Sequence, residues 1–235
     1  MKTHEAAEQR VLVLGIGNVL WADEGFGVRA VEHLARHYHF PANVVLLDGG
    51  TQGLYLVHHV READILVVFD AVDYGLPGGT LTHVEGDEVP RYLGAKKISL
   101  HQTGFQEVLA SAAMLGDYPQ HLLLVGVQPV ELDDYGGSLR PAVKAQIEPA
   151  IALVLAWLSR FGINGQRRER PAQSDAMAAA IADVERYEAG RPGPVEACRT
   201  GDARVLFTSG CRLGSRPAEA GSLSIALDRR AMDAS

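Results

Sequence analysis

Cysteine is nearly absent from this 235-residue chain, and the two residues present, Cys198 and Cys211, both lie near the C-terminus. The first 165 residues therefore contain neither a thiol nucleophile nor a cysteine metal site. Long apolar runs are missing as well. The longest, residues 151–158, is far shorter than a membrane span, and the N-terminal residues lack the apolar core of a secretory signal. We therefore expect a soluble, cytoplasmic protein.

The chain also lacks an excess of positive charge, since its formal net charge is -7 at pH 7. Nucleic acids and anionic membrane surfaces bind proteins of the opposite charge, so we expect neither as a partner. A folded protein or a small molecule is the more suitable partner for such a surface.

A change of composition near residue 166 divides the chain into two predicted parts. Residues 1–165 contain all nine histidines, whereas residues 166–235 contain no lysine and take all of their positive charge from arginine. Apart from one helical pattern at residues 174–190, this second part is rich in Gly, Pro, Arg and Ser. We expect a folded domain over residues 1–165 and a flexible or loosely packed C-terminal extension, without a catalytic role, over residues 166–235.

Strand and helix patterns alternate in the first part. Continuous apolar runs predict strands buried on both faces at residues 10–17, 43–50, 64–73 and 121–129. Helical patterns lie between and after them, at residues 25–39, 53–61, from about 103, and 140–161. Residues 78–86 alternate in polarity after a proline, which predicts an edge strand that can pair in the antiparallel orientation. This alternation predicts a doubly wound α/β fold, in which a mostly parallel, twisted sheet of about five strands is flanked by helices.

The loops that connect these elements contain the candidate site. In open parallel sheets, ligands bind beyond the carboxyl ends of the strands, where the connecting loops meet. Glu24 follows the first strand, Asp70 ends the third, and His101 lies just before the helix predicted from about residue 103, where Thr103 and Gln106 have the spacing of a capping box. Two carboxylates and an imidazole form a three-ligand site with open positions, suited to zinc, nickel or a similar ion.

Each candidate also has an ordinary structural interpretation. Asp23 and Glu24 could be acids favoured by the dipole of the following helix, and Asp48 could cap the helix after it. Asp70 could end a strand, and His101 could be a loop histidine. The predicted topology, which gathers the candidates at one edge of the sheet, favours the site.

Two other chemistries fit the sequence less well. The stretch GIGNVL contains the first two glycines of a dinucleotide fingerprint, but Leu20 stands where the third is required, and an acid pair follows where a pyrophosphate would bind. The chain contains no G-x-S-x-G nucleophile elbow. We therefore expect neither a nucleotide site nor a serine nucleophile.

Five motifs, in order, resemble those of the [NiFe]-hydrogenase maturation endopeptidases. They span about residues 10–160 and read GIGNVLWADEGFGVRAVEHL, LLDGGTQG, VFDAVDYGLPGG, SLHQTGFQEVL and VGVQPVELDDYGGSLRPAV. The resemblance implies a twisted sheet flanked by helices and an endopeptidase that trims the C-terminus of the hydrogenase large subunit after nickel insertion. It also implies that Glu24, Asp70 and His101 bind the metal. The extension beyond about residue 166 exceeds the usual length of the family, so the resemblance implies nothing about it.

The same resemblance implies that nickel reaches the site as part of the precursor, already held by cysteine thiolates. An incomplete set of oxygen and nitrogen ligands can complete the coordination of such a metal without removing it from the softer thiolates. On this interpretation, the acid pair Asp23–Glu24 stands in its loop because the loop meets a cation. The candidates for binding the substrate tail are Asp48, Gly49, Gly50 and Thr51. Two alternatives remain open: a free-standing metallopeptidase with its own zinc, and a chaperone that binds the large subunit without cutting it.

Overall fold

The computed structural model describes residues 9–90, 100–172 and 184–189, without the side chains of residues 100–104, 185 and 186. The described strands are β1 (Val11–Ile16), β2 (Tyr38–His39), β3 (Val44–Gly50), β4 (Ile65–Ala71), β5 (Leu81–Glu85), β6 (His121–Val127) and β7 (Gln166–Arg167). The helices are α1 (Phe26–His37), α2 (Val57–Glu62), α3 (Leu100–Met114), α4 (Pro141–Lys144), α5 (Ile147–Ser159) and α6 (Val184–Ala189). Two 3-10 turns, Ala22–Gly25 and Gly53–Leu56, precede α1 and α2.

Five of the described strands form one sheet, in the order β3-β1-β4-β6-β5. The strands β3, β1, β4 and β6 are parallel, and β5 lies antiparallel to β6 at the edge. The predicted doubly wound, mostly parallel sheet is therefore confirmed, together with the antiparallel edge strand. The short strands β2 and β7 pair separately.

Helices cover both faces of this sheet because successive strand residues point to opposite sides. On one face, Val13 and Phe69 belong to a core shared with α1 and α5. On the other face, Leu14 and Val68 belong to a second core shared with α2 and α3. Central strands that are buried from both sides must be apolar at every position, which explains the continuous apolar runs in the sequence.

The helix predicted over residues 140–161 is divided into α4 and α5. Pro149 has no N–H to donate to the carbonyl of Ala145, so one unbroken helical ladder cannot pass through it. In the structure it falls in the first turn of α5, where the amides have no partner within the helix. Among the described helices, Pro141–Ser159 is the stretch long and apolar enough in composition to cross a membrane, but Ile151 and Leu158 pack in the core.

The strand order reverses at β1 and β4. From β1 the chain passes to β3 on one side and then to β4 on the other, and in open sheets of this kind the crevice for ligands lies beyond the carboxyl ends of such a strand pair. The helix α1 begins just beyond β1. The N-terminus of α3 lies at the same edge, because α3 ends where the chain turns back to the start of β6.

Parts of the predicted extension contact the α/β domain. The amides of Arg168 and Ala172 donate to the carbonyls of His37 and Arg36, at 2.7 and 2.8 Å. Of the helix predicted over residues 174–190, the described part is α6, which is helical. Both segments belong to the compact unit Met1–Pro192, and the remainder of the chain lies outside the described residues. The division of the chain at residue 166 stays a prediction.

Candidate functional site

Glu24 lies in the 3-10 turn Ala22–Gly25, between β1 and α1. Two glycines let this segment pack directly on the strand ends. A Cβ atom at Gly17 would overlap the carbonyl oxygen of Glu24, and one at Gly27 would overlap the carbonyl oxygens of Phe69 and Ile16. Any larger residue would push the segment away, so these glycines hold Glu24 close to the ends of β1 and β4.

Asp70 is the sixth residue of β4 and is only 4% exposed. Its register partner on β6 is Gly126. The 3-10 turn that carries Glu24 contacts β4, and Asp70 follows Phe69, on which Gly27 packs. The turn that carries Glu24 and the strand that carries Asp70 therefore meet at the point where the strand order reverses.

His101 lies in the first turn of α3, since the helix begins at Leu100. The expectation that His101 stands just outside a helix starting near residue 103 is wrong. The capping-box spacing of Thr103 and Gln106 falls inside the helix, because such spacing can also occur within a helical segment. The backbone of α3 contacts the 3-10 turn that follows β3.

The side chain of His101 lies outside the described residues. Among the side chains that the structure does describe, no three from His, Cys, Asp and Glu lie close enough together to hold a metal ion. The side chain of His101 is not among those described, so metal binding by Glu24, Asp70 and His101 stays a prediction.

Asp23 has a different role from Glu24. Its carboxylate is completely buried, and all of its described hydrogen bonds come from one loop. The Oδ2 atom accepts bonds from the amides of Val130 and Glu131, at 2.8 and 2.9 Å, and Oδ1 accepts one from the amide of Arg140, at 2.6 Å. The expectation that both acids face a cation is wrong for Asp23, because backbone amides engage both of its oxygens.

The loop that Asp23 holds, residues 128–140, follows β6 and forms a wall beside the Glu24 turn. The amide of Gly136 donates to the carbonyl of Leu20 at 2.7 Å. The ring of Tyr135 meets that of Trp21 edge to face, with the centroids 5.2 Å apart. Sequence reasoning assigned no role to this wall, although one of the five motifs covers it, because its partners are distant along the chain.

Gln128 links the wall to the loop after β4. Its side chain is buried, and its Oε1 atom accepts hydrogen bonds from the amides of Tyr74 and Leu76, at 2.8 and 3.2 Å. Its Nε2 atom donates to Oδ1 of Asp73 at 2.9 Å. The loops after β1, β4 and β6 are therefore joined by polar contacts around the strand ends.

The substrate-binding candidates lie at the end of β3. Asp48, Gly49 and Gly50 are its last three residues, and Thr51 follows it. The register shifts here: Asp48 pairs with Gly15 but Gly50 pairs with Ile16, so the strand contains an extra residue, a bulge. Such bulges change the direction in which neighbouring side chains point.

The two glycines of the bulge serve different purposes. Gly49 is buried, and a Cβ atom there would lie 2.7 Å from Cδ1 of Leu14, so its missing side chain allows β3 to pack on β1. Gly50 has a φ of +45°, a conformation that other residues rarely adopt. Asp48 and Thr51 are exposed at the same edge. Substrate contact by the four residues stays a prediction.

The Asp48 carboxyl is partly withdrawn from water although the residue as a whole is exposed. This burial raises its pKa above the ordinary value, while a hydrogen bond from the amide of Gly50 and the charge of Arg29 act in the opposite direction. A carboxyl with a raised pKa beside a cleft is a recurrent feature of functional sites.

Similarity to known proteins identifies the family of this chain. The family model HycI, hydrogenase maturation protease, matches residues 28–157. The chain belongs to the hydrogenase maturation protease family. The resemblance drawn from the five motifs is thereby confirmed, and so is the expected endopeptidase class.

Individual family members match most of the chain. The hydrogenase expression/formation protein HupD of Thiocapsa roseopersicina is 65% identical over 207 residues, covering 88% of this chain and 94% of that protein. The hydrogenase 2 maturation protease of Escherichia coli K12 is 44% identical over 161 residues, covering 68% and 97%. The solved structure of the E. coli hydrogenase maturating endopeptidase HybD superposes with a TM-score of 0.65 at 41% identity, covering 68% of this chain and 98% of that one.

Family membership gives this edge of the sheet a general function. The chain is an endopeptidase of hydrogenase maturation. In open sheets of this kind the crevice for ligands lies beyond the carboxyl ends of the strands, and the Glu24 turn, the end of β3 and the wall 128–140 lie at that edge here.

Proposed function

We propose that this endopeptidase removes the C-terminal peptide of a [NiFe]-hydrogenase large-subunit precursor in the cytoplasm, after nickel has been inserted into that precursor. The observation that carries the proposal is the contact between the Glu24 turn and β4, the strand of Asp70, at the strand-order reversal in a member of this family. Ligand sites of doubly wound sheets lie at this point.

The donor set suits a cation that the substrate brings. The carboxylate oxygens of Glu24 and Asp70 are suitable ligands for a divalent metal ion, and Asp70 is almost completely buried near the end of β4. Together with the imidazole of His101, these residues would give an incomplete set of oxygen and nitrogen ligands, which does not compete with thiolates for nickel.

In this proposal, nickel belongs to the substrate, and when bound it fixes the position of the precursor and supplies Lewis acidity near the scissile peptide. Glu24, Asp70 and His101 bind and orient it. Asp48, Gly49, Gly50 and Thr51 contact the substrate tail at the neighbouring end of β3, and Gly49 also keeps that strand end close to β1.

The direct test is to incubate the purified protein with apo and nickel-loaded precursor and to measure the mass of the large subunit. The proposal predicts loss of a C-terminal peptide from the nickel-loaded form alone. Cleavage of the apo form or of unrelated peptides, with inhibition by a zinc chelator, would instead indicate a free-standing metallopeptidase. Binding of the precursor without loss of mass would indicate a chaperone.

Three variants test the residue assignments: Glu24→Gln, Asp70→Asn and His101→Ala. The first two keep the shape of the side chain but remove the anionic oxygen, so each should abolish most processing. Combining two of them should add little, because ligands of one ion act as a unit. Asp87→Asn, on an exposed turn, is the matched control. Near-normal turnover in any two of the three variants, with the fold verified, would overturn the assignment.

A further inference from the structure

The helix α6, in the part of the chain predicted to be an appendage, is bonded to the wall beside the candidate site. Oε1 of Glu188 accepts a hydrogen bond from Oγ of Ser138 at 2.7 Å. Nζ of Lys144 donates to both carboxylate oxygens of Glu188, at 2.9 Å each. A single carboxylate therefore ties α6 to the end of the wall and to α4.

The neighbouring residue ties α6 to a second element. The hydroxyl of Tyr187 donates to the carbonyl oxygen of Gly137 at 3.4 Å. The guanidinium of Arg29, on α1, lies 5.6 Å from the centre of the Tyr187 ring, within the range of a cation–π interaction. Arg29 is buried and paired with Glu32 at 2.9 Å, so α6 packs on a fixed cation.

These contacts engage the same loop that Asp23 holds from the inside. Asp23 accepts the amide of Arg140, two residues beyond Ser138, and those of Val130 and Glu131 at the other end of the wall. The wall is thus held from the inside by Asp23, the residue before Glu24, which we call the inner clamp. It is held from the outside by Tyr187 and Glu188 of α6, which we call the outer clamp.

We propose that Tyr187 and Glu188 are positioning residues for the cleavage reaction, which hold the wall 128–140 against the Glu24 turn in the geometry that receives the precursor peptide. This proposal rests on the function proposed above. The wall presents two exposed apolar side chains, Val130 at 56% and Tyr135 at 65%. Fixing their positions before binding reduces the conformational entropy that the wall itself must lose when a peptide binds.

Two observations support the outer clamp. Partial burial alone would raise the pKa of Glu188, but the hydrogen bonds from Lys144 and Ser138 and the charges of Lys144 and Arg29 hold that pKa below its usual value. The contact is therefore an ionic one at neutral pH. In addition, a match of 207 residues within a 235-residue chain necessarily spans residues 184–189, so the HupD relative has a counterpart of this segment.

The test uses the full-length protein with nickel-loaded precursor. The variants Glu188→Gln and Tyr187→Ala should each raise KM about 3- to 10-fold while kcat changes less than about twofold, because the wall is loosened and the residues at the metal are untouched. The charge exchange Lys144→Glu with Glu188→Lys should return KM toward the wild-type value. Glu169→Gln, an exposed change in the same extension, is the control and should leave KM unchanged.

Amide hydrogen exchange provides a readout that does not depend on activity. In both variants the amides of Gly136 and Gly137, which bond to Leu20 and Asp134, should exchange faster, while those of β6 should not change. Faster exchange with an unchanged KM would make α6 merely structural and overturn the proposal. A raised KM with unchanged exchange would mean direct substrate contact and would also overturn it.

The result for the wild-type protein separates this proposal from the one it rests on. If wild-type protein leaves nickel-loaded precursor intact, the proposed function fails and the positioning role falls with it. If the wild-type protein cleaves the precursor but the two variants keep the wild-type KM, the positioning role alone fails.

Discussion

Separate replacement of the adjacent acids Asp23 and Glu24 should separate stability from catalysis. In Asp23→Asn, the amide oxygen can still accept the bonds from Val130 and Glu131, but the new NH2 group then faces the N–H of Arg140. In Asp23→Ala, all three amides lose their acceptor. Glu24→Gln changes none of these bonds, so it should affect processing and leave the fold stable.

The magnitudes follow from the hydrogen bonds. A bond to a charged group contributes about 1.5–3 kcal/mol, so Asp23→Asn, which loses one bond, should lower the free energy of unfolding by a similar amount. Asp23→Ala loses three, but water can reach some of the partly buried amides, which reduces the expected loss to about 4–6 kcal/mol. Domains of this kind have a total stability of about 5–15 kcal/mol, so the alanine variant should be close to unfolding and the asparagine variant should remain folded.

Urea unfolding measures these differences. The midpoints should fall in the order wild type, Asp23→Asn, Asp23→Ala, with the slope unchanged. Asp133→Asn, an exposed acid in the same wall, is the control and should stay within about 0.5 kcal/mol of wild type. A wild-type midpoint for Asp23→Asn would refute the role of the three amide bonds. A destabilisation of Glu24→Gln equal to that of Asp23→Ala would refute the division of roles between the two acids.

Three further predictions concern packing and charge. Gly27→Ala introduces a Cβ atom that overlaps the carbonyl oxygen of Phe69, so it should lower the free energy of unfolding by about 1–3 kcal/mol or more in the same urea assay; a wild-type midpoint would contradict the close approach of α1 to β4. Burial raises the pKa of Asp48 above its ordinary value of 3.8, so the folded state loses stability as the pH rises from that value through the raised pKa. Asp48→Asn should therefore raise Tm at neutral pH, and the gain should disappear below pH 3.8. An equal Tm of variant and wild type at pH 7 would contradict this prediction. Burial and the neighbouring charge of His33 lower the pKa of His37, so the unfolded state binds the proton more readily and stability falls as the pH drops below 6.5. His37→Gln should therefore make Tm depend less on pH between about pH 5 and 7. An unchanged dependence of Tm on pH would count against this prediction.

The sheet could be predicted because burial on both faces leaves a direct mark in the sequence. Each of β1, β3, β4 and β6 begins and ends within two residues of its predicted run. The strands β1, β4 and β6 are buried on both faces as expected, but for β3 that expectation is wrong, because β3 lies at the edge of the sheet and Val45 is 51% exposed. The edge strand β5 was recognisable for the opposite reason, because it alternates in polarity. The candidate residues Glu24 and Asp70 followed from the topology, since strand ends of a parallel sheet meet at one edge.

The role of Asp23 could not be predicted from the sequence around it. Its partners Val130 and Arg140 lie 107 and 117 residues away, so no local spacing indicates them. Two neighbouring acids in a loop have the same local pattern whether they face a cation or the amides of a distant loop. The starts of α3 and α5 were misjudged for a related reason: capping and periodicity describe local preference, whereas the actual helix ends also depend on packing and on residues such as Pro149.

The composition of the predicted extension likewise does not indicate which distant residues it contacts. A segment rich in Gly, Pro, Arg and Ser is on average flexible, but single side chains decide whether it packs against the folded domain. Glu188 reaches Ser138 and Lys144, which are 50 and 44 residues away. These contacts involve a hydroxyl, an ammonium group and a carboxylate, none of which has a periodicity that sequence analysis could detect.

The proposed function explains why this site would need support from outside its ligands. A protein that supplies a complete ligand set can use metal binding to order its loops, but a site that waits for a metal carried by another protein has no such ordering until the substrate arrives. Its geometry must therefore be fixed beforehand by contacts within the chain. The close approach of Gly17 and Gly27, the three amide bonds of Asp23 and the clamp formed by Glu188 would each contribute to this. Under this reasoning the first acid of the pair fixes the loop so that the second can meet the cation, and neither could replace the other.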